Sequence, residues 1–240
     1  MDVTDALAAR QGLTCVVGAG GKKTTMATMA DRLDRAVVTA TVRIPIFDDW
    51  VADVVVTGDP VGAVGAADSW PLGVVPEQER EDRYRGYDPG TVDALADFST
   101  PVLVKADGAR MRRFKAPDDR EPRLPSRAGT VIPIASAHVM GQPLDGDRVH
   151  RVDRVSELTG LDPGDEIRPR DIATVLTSER GGRKGVPEGA TVVPLLNMVD
   201  DATLEERARE VAHAIHDLAD VPRVVLAEMR ADDPLVAVVE

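Results

Sequence analysis

Cysteine, aromatics, lysine and long apolar runs are all scarce in this sequence, and each shortage excludes something. Cys15 is the only cysteine, so an internal disulfide is ruled out and a cysteine-based zinc site is not credible. It falls in the apolar run 13–17, where a buried, inert thiol is expected. Aromatics make up 3% of the chain, which leaves Val, Ala, Leu and Ile to build the core. No stretch reaches the roughly 18 apolar residues that a bilayer-spanning helix needs. Residues 1–10 begin acidic and lack a basic region followed by an apolar core, so no signal peptide and a cytoplasmic location are expected.

Positive charge is the other shortage. Forty-one acidic residues face 29 basic ones, for a net charge of -12. That balance disfavours non-specific binding to nucleic acid or to an anionic membrane surface. Only five of the basic residues are lysines: Lys22, Lys23, Lys105, Lys115 and Lys184. An acidic, arginine-rich, lysine-poor composition keeps a protein soluble in high salt, so a halophilic source is expected.

What remains is ordinary for a folded chain: 240 residues, 43% hydrophobic and 29% charged, enough for a sizeable core. Short apolar runs at 13–18, 36–42, 52–56, 72–75, 102–105, 131–135, 191–196 and 223–228 read as strands. Helical patterns follow at 22–33, 89–98 (with Asp88 placed to cap), 150–158, 169–179 and 202–218. Residues 60–67 read as a glycine-rich connection and 115–129 as an ordered loop. Strands that are apolar throughout and alternate with helices predict an α/β fold, a mostly parallel sheet with helices on both faces. One nucleotide-binding domain over 1–240 is expected, with a small excursion at about 115–185.

The chemistry starts where the first strand meets the first helix, at Gly18-Ala19-Gly20-Gly21-Lys22-Lys23-Thr24-Thr25. Three glycines let backbone amides converge on a phosphate, and a helix N-terminus points its free N–H groups at the same place. A lysine adds a full charge and a hydroxyl can hold Mg²⁺. The full phosphate-loop pattern would put glycine at position 16, which is Val16, and Ser or Thr at position 23, which is Lys23. Either Thr24 takes the metal role or Lys23 becomes the phosphate lysine; Lys22 for phosphate and Thr24 for Mg²⁺ is the reading adopted.

Asp107 follows the strand at 102–105, where such proteins order Mg²⁺ or the attacking water; a turn aspartate before Gly108 is the plainer alternative. Asn197-Met198-Val199-Asp200 ends a later strand as the guanine-reading Asn-Lys-x-Asp does, although Asp200 or Asp201 would also cap the following helix. The cationic run at 110–115 offers Arg110, Arg112 and Lys115 to a phosphorylated substrate or a client protein, or is a solvated loop. His138 and His150 are too isolated for a metal site, and Glu121 is either a site acid or a loop charge.

In order along the chain, these segments resemble the YqeC family, described as accessory proteins of selenium-dependent molybdenum hydroxylases. The carriers are Val17 to Thr25, Thr39-Ala40-Thr41, Ala106-Asp107-Gly108-Ala109, Lys115-Ala116-Pro117, Glu121-Pro122-Arg123-Leu124-Pro125, Ile132-Pro133, the Gly-x-Pro-Leu at 141–144, His150-Arg151 and the Asn197 to Asp200 ending. Lys23, Lys105 (the family tends to an acid) and Met198 depart from the pattern. The resemblance implies a P-loop-like, Mg²⁺-dependent binder of ATP or GTP, a slow NTPase that helps mature a molybdenum hydroxylase. Two alternatives stay open: a Mur-like ATP-dependent ligase or kinase acting on a small acidic substrate, and a nucleotide sensor without turnover.

Overall fold

A computed structural model describes residues 1–240. Ten strands form one sheet: β1 (Leu13–Gly18), β2 (Val37–Ala40), β3 (Asp53–Val56), β4 (Leu72–Val75), β5 (Val102–Lys105), β6 (Ala128–Ser136), β7 (Thr191–Val192), β8 (Leu195–Asn197), β9 (Val224–Ala227) and β10 (Leu235–Val239). Their order is β10-β9-β8-β6-β1-β5-β2-β4-β3, with β7 beside β6. Every pairing is parallel except β9 with β10. Seven helices accompany it: α1 (Val3–Ala6), α2 (Lys22–Asp31), α3 (Pro60–Gly65), α4 (Pro89–Asp93), α5 (Val152–Thr159), α6 (Pro169–Thr177) and α7 (Ala202–Leu218). The fold is α/β with a large, mostly parallel sheet, as the unbroken apolar strands predict.

Burial explains the lack of alternation. β2, β4 and β5 are buried at every residue, whereas the edge strand β3 is half exposed. On β1, Val16 joins one core cluster with Met26, Met29 and Ala30 of α2, while Leu13, Cys15 and Val17 face a second. Ala208, Val211, Ala212 and Ile215 of α7 pack with α6 against the ends of β6, β8 and β9 in a third. Both faces are therefore covered, and each fully buried Met of α2 contributes about 1.5–3 kcal/mol.

Several elements differ from the sequence reading. Residues 60–65 are helical because Pro60 supplies the first helical turn and Asp59 Oδ1 accepts from Gly62 N at 3.0 Å. The helix expected at 89–98 is α4 followed by a 3₁₀ turn at Ala94–Asp97. Asp88 makes no side-chain cap; it takes Arg123 at 2.7 Å instead. α5 begins at Val152 because Arg151 is left-handed (φ 65°) and Val149–His150 pairs as a strand with Phe114–Lys115.

Topology then fixes where chemistry can occur. From β1 the chain crosses to β2 and the far strands, returns as β5 on one side of β1, and continues as β6 on the other. The carboxyl end of β1 is thus a switch point, where open parallel sheets hold ligands. Register brings Gly18 opposite Ile134, and Ser136 opposite Asn197, at that same edge.

Candidate functional site

The loop 18–21 leaves β1 and enters α2 with Gly21 as N-cap, φ 111° and no side-chain cap. Gly18 (φ 88°) and Gly20 (φ 116°) lie in the left-handed region, and a Cβ on either would strike backbone: Ile134 O for Gly18, Ser136 N for Gly20. Two of the four loop amides are held inside the fold. Gly18 N donates to Asp107 Oδ2 at 2.8 Å and Ala19 N to Ile134 O at 2.9 Å. The amides of Gly20 and Gly21 donate to nothing in the protein. Of the amides at 18–21, only the second pair and the uncapped start of α2 therefore stay free.

The two loop lysines part company. Lys22 is buried; its Nζ donates to Gly18 O and lies 2.9 Å from Asp107 Oδ1. Lys23 is exposed and stacks its ammonium 5.2 Å from the ring centre of Trp50, away from Asp107. Thr24 is half-buried; Thr25 is buried, and its Oγ1 has no hydrogen-bond partner.

Beside the loop is a network of buried and half-buried charges. Lys115 Nζ reaches Asp107 Oδ2 and Glu121 Oε2, both at 2.9 Å, and Gly108 O at 2.5 Å. Glu121 also accepts from Gly108 N at 3.0 Å and Arg151 at 2.7 Å, and Arg151 continues to Asp118 at 2.7 Å. Three cations thus match three carboxylates: Lys22, Lys115 and Arg151 against Asp107, Glu121 and Asp118. Burial lifts the Asp107 carboxyl, but the charges of Lys22 and Lys115 outweigh it and hold the group below the usual carboxylate range. Lys105 is the unmatched member. It is buried, donates to Arg43 O at 2.7 Å, and is pushed down to about 7 by burial and then by Lys22. Burial, then the charges of Arg151 and Lys115, lower His150 to about 4.

On the other flank Asn197 is buried with its amide turned inward: Nδ2 donates to Gly20 O at 2.8 Å and Oδ1 accepts from Met229 N at 3.2 Å. Asp201, not Asp200, caps α7 through Leu204 N at 2.7 Å. Asp200 meets His138 Nε2 at 2.8 Å, while Arg113 approaches His138 Nδ1 at 3.3 Å. Since arginine only donates, that contact assigns the ring proton to Nε2.

Of the cationic run, Lys115 is buried in the network, whereas Arg110 is exposed and Arg112 half-buried on the connecting loop, neither in an ion pair. A cleft beside Gly18, Asp107 and Lys115 is walled by Pro117, Pro122 and Gly182. Sequence reasoning left Glu121 undecided, named Arg151 only as part of the His150-Arg151 motif, and passed over Asp118; a signal was available in the lysines, since Lys22 and Lys115 sit in this network, Lys105 lies beside it and Lys184 Nζ donates to Asp118 O at 2.5 Å on its edge.

No group of three or more His, Cys, Asp or Glu side chains is arranged to hold a metal by itself. The donors this segment could offer Mg²⁺ are the Asp107 carboxylate, already engaged by Lys22 and Lys115, and the hydroxyls of Thr24 and the unpartnered Thr25, so Mg²⁺ would fit only with phosphate oxygens completing the shell.

Residues 14–153 match the family model described as YqeC protein. The chain belongs to the YqeC family. It is 28% identical to the uncharacterized protein YqeC of Escherichia coli strain K12 over 197 residues, covering 78% of this chain and 76% of that one. No solved structure matches. No helix is long and apolar enough to cross a membrane.

Proposed function

We propose that this YqeC protein binds a nucleoside triphosphate, ATP or GTP, with Mg²⁺ at residues 18–25. It hydrolyses the triphosphate slowly as a maturation factor for a molybdenum hydroxylase in a salt-rich cytoplasm. The observation that carries the reading is the pair of free amides at Gly20 and Gly21, set at the switch point above buried Lys22 and Asp107. In this reading the loop amides and Lys22 hold the outer phosphates. Thr24 and Asp107 would hold Mg²⁺, which when bound would supply charge neutralisation for the phosphates. Arg110 (exposed) and Arg112 (half-buried), on the loop that leaves Asp107, contact the client, and the acidic surface disfavours nucleic acid.

Calorimetric titration with ATP and with GTP, with and without Mg²⁺ in high salt, tests the proposal; affinity for neither ends it. The cleft beside Asp107 and Lys115 favours one second reading, a ligase or kinase whose small acidic substrate enters there. Phosphate release that requires an added carboxylic acid would select it. Nucleotide binding with no release, alone or with the client, would select a sensor.

A further inference from the structure

We infer that the Asp107 carboxylate sits in an anion site that a phosphoryl oxyanion can take over, with Lys115 as its second lysine beside Lys22 and Gly18 N as its amide donor. The inference rests on the phosphate reading of the loop and extends it to a residue from a different element. Three donors converge on this one buried carboxylate: Gly18 N at 2.8 Å, Lys22 Nζ at 2.9 Å and Lys115 Nζ at 2.9 Å. Two ammonium groups and a loop amide are the donor set of a phosphoryl oxygen, and they exceed what one carboxylate charge requires.

Two further observations support exchange. Asp107 Oδ1 is buried and takes no directed hydrogen bond, so Lys22 at 2.9 Å holds it by charge and another anion can replace it there. A phosphoryl dianion also matches the two ammonium groups of Lys22 and Lys115 more closely than the single charge of the carboxylate does. Gly18, Asp107 and Lys115 line the cleft between Pro117, Pro122 and Gly182, the route a phosphate would take once these walls part, since the space there is now only water-sized. Lys115 is anchored independently by Gly108 O and Glu121, so it stays in place when Asp107 swings away.

Chemical rescue of Asp107→Ala tests this without nucleotide or Mg²⁺. The variant leaves Lys22 without a carboxylate and Lys115 with only Glu121, and its melting temperature falls. Inorganic phosphate, at ionic strength matched with chloride, is expected to raise that temperature by about 4 °C more than it raises the wild type's. The gain should vanish in Asp107→Ala/Lys115→Met. Equal phosphate shifts in all three proteins overturn the inference. Should Asp107→Ala not fold, Asp107→Asn keeps the shape; calorimetry should then give it phosphate affinity about tenfold above wild type, and equal affinity overturns the inference. Because no nucleotide enters these assays, loss of triphosphate binding would sink the proposed function and leave the rescue standing, and the reverse outcome separates them equally.

Discussion

Asn197 and Gly20, 177 positions apart, are joined by a hydrogen bond of 2.8 Å that fastens the glycine loop to the end of β8. The same side chain accepts from Met229 N, so one buried amide satisfies a carbonyl and an N–H at once. Asn197→Ala leaves both without a partner, and its urea midpoint should drop by an amount worth about 1–3 kcal/mol. Asn197→Asp keeps the acceptor for Met229 but sets a carboxylate against Gly20 O, and should cost at least as much. A midpoint equal to wild type for the Ala variant would show that the bond does not hold the loop.

The two loop lysines should separate cleanly by substitution. Lys22→Met removes the ammonium beside Asp107 and should weaken triphosphate binding at least about tenfold. Lys23→Met removes only the contact over Trp50; affinity should hold and stability fall by no more than about 1 kcal/mol. If the affinity losses are reversed, Lys23 is the phosphate lysine.

Lys105 gives a pH signature. An ordinary lysine titrates near 10.5 and this one near 7. Between those values the unfolded chain binds a proton that the folded chain has released, so stability climbs as pH rises through that window. Below about 7 both states are protonated and the full cost of burying the charge is present. Urea unfolding from pH 7 to 9 should show a slope approaching ~1 kcal/mol per pH unit in wild type. The slope should be smaller in Lys105→Met; equal slopes refute the assignment.

The sheet was readable because its strands are apolar on both faces, and the loop because glycines and a lysine stand between such a strand and a helix. Glu121 and Arg151 were not readable, since they lie in a Pro-rich loop and before α5 and meet only after β5, β6 and the short strand pair at 114–115 and 149–150 are placed. Asn197 was legible as a motif residue, yet its inward bonds depend on β8 lying next to β6. The lysine count held more than a clue to salt. In an arginine-rich chain three of the five lysines, Lys22, Lys105 and Lys115, are buried at or beside this network.

Glycine substitutions provide the sharpest check on the loop itself. Gly20 and Gly185 both have positive φ, 116° and 66°, so alanine strains the backbone at each. They differ in surroundings: a Cβ at Gly185 meets nothing within 4 Å, whereas one at Gly20 runs into the backbone of Ser136 and Ala135, which cannot yield without shifting β6. Gly185→Ala should therefore cost only the left-handed penalty, about 1–2 kcal/mol. Gly20→Ala should exceed it by at least about 1–3 kcal/mol, because the packed loop must move as well. Thermal unfolding of the two variants side by side reads the difference directly. Equal midpoints would mean that the loop does not lie against β6, and the free amides of Gly20 and Gly21 would then no longer be fixed in place to receive a phosphate.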